Sequence, residues 1–486
     1  MPLDAERAPL YEALARRAGN NPAAFHVPGH KQRAEWTAAA GDASRRFAEL
    51  LPLDVTELPD TDDLHHPEGV IAEAEALAAD CFGAEETRFL VGGSTAGNLA
   101  MILAVCRPGE LLLVQRNVHK SVIHGLMLSG ARTVFLPPAI DPGSGLAIAP
   151  SADTVREALR RHPDAKGLLL ANPNYYGMSV ELAPIVRESH AMGIPVLVDE
   201  AHGPHFGRHS AFPESALQAG ADIVVQSAHK MLSAMTMGAY LHMQGDRVSR
   251  ASIRQYLRMI QSSSPSYPIL ASLDLARREL HARKEEAFAE ALRTAGEIRA
   301  GLADSAYGIV PAGPHVRIDP LKLTLFDASG TLDGFRLQAE LEKHGCSAEM
   351  ADDRYVVLAL GTGSRPEDGR RLLAALEKIA VKYELRDPQP NLIFRALPAY
   401  PEEIPEPVVL SRGAETEDSE PVPLEEAEGR VSAEWIIPYP PGIPALYPGE
   451  TITPAIIREL LQWRKQGARI QGAEDGTLGM VRVAKS

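Results

Sequence analysis

From about Val70 onward, short apolar runs alternate with stretches whose apolar positions recur at helical spacing. A helical pattern over Ile71 to Phe82 leads to Thr87-Arg-Phe-Leu-Val-Gly-Gly, and a helix follows from Gly97 to Cys106. Pro108-Gly109 turns into a strand over Leu111 to Gln115, then come a helix around Ser121 to Ser129 and a strand over Thr133 to Leu136. The alternation continues with helices at Ala152 to Arg161 and Ala183 to Met192, and strands at Gly167 to Ala171, Pro195 to Asp199 and Asp222 to Gln226. Units of roughly 30 residues predict an α/β sheet with parallel pairing, its functional loops at the carboxyl ends of the strands.

The flanks read differently. Residues 4 to 18 predict a short amphipathic helix, broken at Gly19-Asn-Asn-Pro22, before two polar loops: Phe25-His-Val-Pro-Gly-His-Lys31 and Leu53 to Gly69. Helical patterns from Ser272 to Leu302 lead to a second α/β unit, with strands at Pro320 to Phe326 and Arg354 to Ala359 and helices at Gly334 to His344 and Pro366 to Lys382. Arg386 to Glu428 is a Pro-rich, acidic, loop-heavy join, and a last helix runs from Pro454 to Gln466. The expected divisions are therefore 1–69, 70–300, 301–385 and 386–486.

Composition narrows the class. The chain has 486 residues, 45% hydrophobic and 23% charged, as in globular proteins. No apolar run approaches the ~20 residues that span a bilayer, and the amino terminus lacks a signal peptide's basic and apolar segments. A net charge of −15 with no basic stripe argues against nucleic acid. Three scattered cysteines without a CxxC fit a reducing cytoplasm.

Four clusters at strand ends carry candidate chemistry. Gly92-Gly-Ser-Thr-Ala-Gly-Asn98 exposes backbone N–H groups and hydroxyls ahead of a helix, either an anion cradle or a plain helix cap. Asn117-Val-His-Lys-Ser121 offers an imidazole that caps a helix or presents a flat face to an aromatic cofactor. Asp199, ending a buried strand in Val198-Asp-Glu-Ala-His202, needs a cationic partner. Ser227-Ala-His-Lys230 leaves an amine where a core strand stops, to snorkel to solvent or act as a nucleophile. His202, His205 and His209 have no regular zinc spacing, because Gly203-Pro204 interrupts them, so no metal is expected. Together the clusters supply a phosphate cradle, a stacking ring, an acid for a ring nitrogen and an amine, the parts of a pyridoxal phosphate site.

The conjunction of Asp199 with Ser227-Ala-His-Lys230 resembles the core of fold-type-I pyridoxal phosphate enzymes. The wider set is similar to the bacterial ornithine/lysine/arginine decarboxylase family. It comprises Pro28-Gly-His-Lys, Glu57-Leu-Pro-Asp-Thr-Asp-Asp-Leu, Gly93-Ser-Thr-Ala-Gly-Asn, Arg116-Asn-Val-His-Lys-Ser, Asp199-Glu-Ala-His-Gly and Pro438-Tyr-Pro-Pro-Gly-Ile-Pro. The resemblance implies a three-layer α/β/α large domain with smaller α/β carboxyl-terminal domains. It implies that Ser94, Thr95, Ser227 and His229 bind the cofactor phosphate, that His119 stacks on the ring, and that Asp199 pairs with its nitrogen. Lys230 would hold the cofactor as a Schiff base, His202 would approach its phenolic oxygen, and His229 or Lys230 would protonate Cα. Glu450 would meet the substrate's distal cation, with His30, Lys31 and Asp62 completing the site at a dimer interface.

The resemblance also implies a short form without an amino-terminal wing, a homodimer or dimer-based tetramer, and a biosynthetic polyamine role. The expected reaction is decarboxylation of arginine to agmatine, with lysine and ornithine as alternatives. An aminotransferase or lyase on the same scaffold would need a carboxylate-binding arginine, for which Arg354 is the sole candidate. A catalytically silent binding homologue is the remaining reading.

Overall fold

The computed structural model describes residues 3–33, 45–385, 400, 403–410, 418–438 and 442–485. Much of the expected join over Arg386 to Glu428, and positions 439–441 of the Pro438 motif, lie outside the described residues. The chain divides into two compact units, Met1–Ala104 with Leu197–Phe288 and Val105–Val196 with Ala289–Ser486.

In the first unit, strands Glu86–Leu90, Ala239–Met243, Ile223–Gln226 and Val196–Asp199 lie in that order. Val196–Asp199 and Ile223–Gln226 pair in parallel, as predicted, with Val198 opposite Val224. Ala239–Met243 runs antiparallel to Ile223–Gln226, and Glu86–Leu90 antiparallel to it in turn. That departs from the all-parallel expectation for a physical reason. The twelve residues between Gln226 and Ala239 contain only the single helical turn Ala228–Met231, so the connection builds no crossover helix to carry a parallel return. Helices Pro9–Asn20, Val70–Phe82 and Tyr267–Arg283 pack together beside these strands. Their contact is fixed by the fully buried pair Arg277 and Asp274, whose carboxylate also accepts the Leu10 N–H, 2.9 Å.

In the second unit, Leu111–Gln115 lies parallel to both Arg132–Leu136 and Gly167–Ala171. Every residue of Leu111–Gln115 is buried, as expected of a strand covered on both faces. A separate antiparallel sheet, ordered Met350–Ala351, Val356–Ala359, Lys322–Asp327, Tyr307–Ile309, carries helices Gly334–Lys343 and Pro366–Lys382. Near the carboxyl end, Ser419–Pro423 pairs with Met480–Ala484, and helix Pro454–Gln466 packs Ile456, Ile457 and Leu460 into a local apolar core.

Candidate active site

The strand Ile223–Gln226 ends at Ser227, which opens a single helical turn, Ala228–Met231. Ala228 and Met231 point into the core and leave His229 and Lys230 partly exposed. The turn is fastened from the side. The His229 backbone N–H donates to the Gly238 carbonyl at 3.2 Å, and His229 Nδ1 meets the same oxygen at 3.0 Å. Lys230 Nζ lies 3.0 Å from His202 Nε2. The parallel neighbour strand ends at Asp199, whose Oδ2 accepts from Asn98 Nδ2 at 2.7 Å and whose Oδ1 accepts from the Ala201 N–H at 3.1 Å. Burial pushes the Asp199 carboxyl up, while Asn98 and the charge of Lys230 pull it back. A cation beside Asp199 would favour its carboxylate form.

Asn98 reaches Asp199 because helix Gly93–Val105 lies hard against the strands. A Cβ on Gly97 would come within 2.8 Å of Val225, so no side chain fits there. The helix starts at Gly93, four residues before the sequence pattern placed it, because Gly93 takes φ +71° and its N–H donates to Met237 O at 2.9 Å. Ser94 and Thr95 thus sit in the opening turn, where backbone N–H groups lack partners inside the helix. Ser227 Oγ is sealed from solvent and has no hydrogen-bond partner among the described residues. A buried hydroxyl in that state has a bond to give to an arriving acceptor. These features fit pyridoxal phosphate: an amine on a fastened turn, a buried acid, and a helix start beside unspent donors.

Behind Asp199 runs a buried polar chain that the sequence pattern did not signal. Glu200 accepts from Gln226 Nε2 at 2.6 Å and from the Ala216 N–H at 2.8 Å; Gln226 Oε1 meets His242 Nε2 at 3.0 Å, and His242 Nδ1 meets Thr87 Oγ1 at 2.8 Å. Burial pushes Glu200 up to about 8 and His242 down to about 3, so both are neutral at pH 7.

The remaining expected residues are placed as follows. His119, in the second unit, caps helix Lys120–Ser129, its Nδ1 accepting from the Ser121 N–H at 3.2 Å and meeting Ser121 Oγ at 2.8 Å. Glu450, expected to meet a substrate cation, is gripped by Arg116, which donates to both its oxygens at 2.8 to 3.1 Å. Asp62 accepts from the backbone N–H groups of Asp63, Glu68, Gly69 and Ile71, which hold it below the usual carboxylate range despite its burial. His30 Nε2 pairs with Asp54 at 3.0 Å, and Lys31 Nζ donates to the His26 carbonyl at 2.6 Å. In this conformation Glu450, Asp62, His30 and Lys31 each make contacts that hold the chain locally. His205 is wedged between the rings of Phe206 and Phe212, and no group of three metal-ligating side chains occurs among the described residues.

Comparison with known proteins gives a consistent set of likenesses. The profile of the Orn/Lys/Arg decarboxylase major domain matches residues 8–358, and that of the carboxyl-terminal domain matches 393–486. An uncharacterised Bacillus subtilis protein is 44% identical over 469 residues, covering 96% of each chain. Arginine decarboxylase of Bacillus subtilis is 37% identical over 487 residues, covering 98% of each chain. In fold, the chain is similar to lysine decarboxylase of Francisella novicida, with TM-score 0.79 at 21% identity, covering 98% of this chain and 81% of that one. A Bacillus subtilis aminotransferase shares the mixed α/β architecture more distantly, with TM-score 0.55 at 14% identity, covering 67% and 88%.

Proposed function

Because the chain belongs to the Orn/Lys/Arg decarboxylase family, we propose that it removes the α-carboxylate of L-arginine, with pyridoxal phosphate as cofactor, releasing agmatine and carbon dioxide. The observation that carries the reading is the placement, at two neighbouring strand ends, of the Lys230–His202 contact and of Asp199 held by Asn98.

When bound, the cofactor supplies a protonated ring that accepts the electron pair left as the Cα–carboxylate bond breaks. Lys230 is the amine to which its aldehyde carbon would be joined, and His202 holds that amine in line and exchanges a proton with it. Asp199, its rotamer fixed by Asn98 and the Ala201 N–H, would keep a proton on the ring nitrogen. Ser94, Thr95, Ser227 and His229 would hold the phosphate, and His119 would cover the ring face. After carbon dioxide leaves, Lys230 or His229 returns a proton to Cα. Reaction choice is a matter of orientation, since the bond that breaks is the one held perpendicular to the ring.

Arginine is chosen over lysine because the arginine decarboxylases of Bacillus subtilis and Bacillus anthracis are 37% and 35% identical, whereas lysine decarboxylase of Pseudomonas aeruginosa is 24% identical. The protein works in this reading as a homodimer or dimer-based tetramer in the cytoplasm, in polyamine biosynthesis, with residues 1–69 at the dimer interface. Among the described residues no helix is long and apolar enough to cross a membrane. The test is Lys230→Ala. Purified protein should lose the visible absorbance of lysine-bound cofactor and all release of carbon dioxide from arginine. Retention of both overturns the assignment, and greater release from lysine or ornithine overturns the substrate.

A further inference from the structure

Within the second unit a cavity of about 380 Å³ lies between helix Pro454–Gln466 and the turn that follows Met350–Ala351. Its size is at the low end of the roughly 300–1,000 Å³ typical of small-molecule sites. Tyr175, Tyr176 and Trp463 contribute aromatic wall, and Asp352, Asp353 and Glu459 face it against a single base among the described residues, Arg469.

Two of the acids are spent. Asp352 accepts from the N–H groups of Arg354 and Tyr355 at 2.7 and 2.6 Å and from Tyr176 OH at 2.5 Å. Asp353 Oδ2 accepts from Gln462 Nε2 at 2.5 Å. Glu459 differs: its Oε2 is sealed from bulk solvent and has no hydrogen-bond partner among the described residues. It stands on the same helical face as Trp463, four residues on, and both line the cavity. A buried carboxylate oxygen without a partner is costly, a cost relieved by taking up a proton or by a donor that enters.

We propose that this cavity binds a small organic cation, a guanidinium or alkylammonium group on a short apolar chain, with Glu459 as its carboxylate partner. The aromatic side chains supply faces that attract such a cation, and the excess of acids over Arg469 excludes anions. The site rests on its own geometry and does not depend on the decarboxylase reading. The same chemistry has two sources, the cationic end of a substrate or product and a free amine acting as an effector.

Binding should release a proton. Burial and the neighbouring charge of Asp353 push the Glu459 carboxyl up to about 8, so near pH 7 it is mostly protonated until a cation arrives. The other titratable groups facing it are Asp352, Tyr176, Tyr400 and Arg469, with the charge of Arg116 acting from further off.

The test is calorimetric titration of agmatine into the cofactor-loaded protein and into the Glu459→Gln variant, at pH 7 in two buffers of different ionisation enthalpy. The wild type should bind agmatine and release up to one proton. E459Q should bind roughly tenfold or more weakly, the loss expected for one charge-assisted hydrogen bond, and release none. Thermal unfolding of E459Q checks that it is folded. Inhibition of arginine turnover sorts the source: competitive inhibition lost in E459Q places a substrate end in the cavity, and non-competitive inhibition lost in E459Q makes it an effector site. Equal affinity and equal proton release in both proteins overturn the proposal, as does a wild type that binds agmatine without proton release.

Discussion

Glu450 and Arg116 offer the sharpest separation of a structural role from a substrate role. The Arg116 side chain is 6% exposed and that of Glu450 is 17% exposed, so each charge depends on the other. Removing one partner of a buried ion pair typically costs about 3–5 kcal/mol, because the survivor is left uncompensated. Here the survivor keeps some support. Arg116 also donates to the carbonyls of Pro444 and Ala445, and its guanidinium lies 4.7 Å from the centre of the Tyr447 ring. The expected cost of Glu450→Ala therefore falls at the lower end, about 3 kcal/mol. Glu450→Gln, which preserves shape and one acceptor, should cost less. Urea unfolding followed by tryptophan fluorescence reads the effect, since Trp435 and Trp463 lie in the same unit. The folded fraction of E450Q should show a KM for arginine within twofold of wild type. An unchanged urea midpoint together with a tenfold higher KM would refute the structural role and return Glu450 to the substrate.

Two further substitutions probe the first unit. Ser227→Ala removes a sealed hydroxyl that has no partner, so cofactor-free protein should gain about 1 kcal/mol by urea unfolding while cofactor affinity drops roughly tenfold, read by spectral titration; a loss of stability with unchanged affinity contradicts that placement. Glu200 carries a folded-state pKa of about 8, above its unfolded value near 4.5, so it favours the folded state below pH 4.5 relative to higher pH. Wild type should lose up to about 5 kcal/mol relative to Glu200→Gln between pH 4.5 and 8, measured as the difference in unfolding free energy; a flat difference would show that the carboxyl is not buried and neutral.

Much of the architecture is legible in the chain because each element's pattern is local. Helices Ala152–Arg161, Pro366–Lys382 and Pro454–Gln466 lie where the apolar spacing placed them, with Ser151 and Thr453 as caps and Pro366 and Pro454 at helix starts. Strand Ala239–Met243 went unread because His242 interrupts its apolar run. That histidine is tolerated inside only because Thr87 and Gln226 satisfy both ring nitrogens, and neither partner is a sequence neighbour. The same limit hides the Arg116–Glu450 pair: the partners lie 334 residues apart, and no window along the chain contains both. The local role of Asp62 was equally hidden: it gathers the N–H groups of Gly69 and Ile71 across its own loop, a turn geometry that no periodicity announces.

The fastening of the Ala228–Met231 turn has a consequence for how Lys230 can be used repeatedly. With Ala228 and Met231 locked in the core and His229 tied to Gly238, the backbone beneath the amine is a fixed post. All of the reach that Lys230 needs must come from its own four-carbon stem, whose torsions turn over in picoseconds to nanoseconds where exposed. Letting go of one partner and taking hold of another is then a swing of a tethered hand. It asks for no rearrangement of the fold from one turnover to the next.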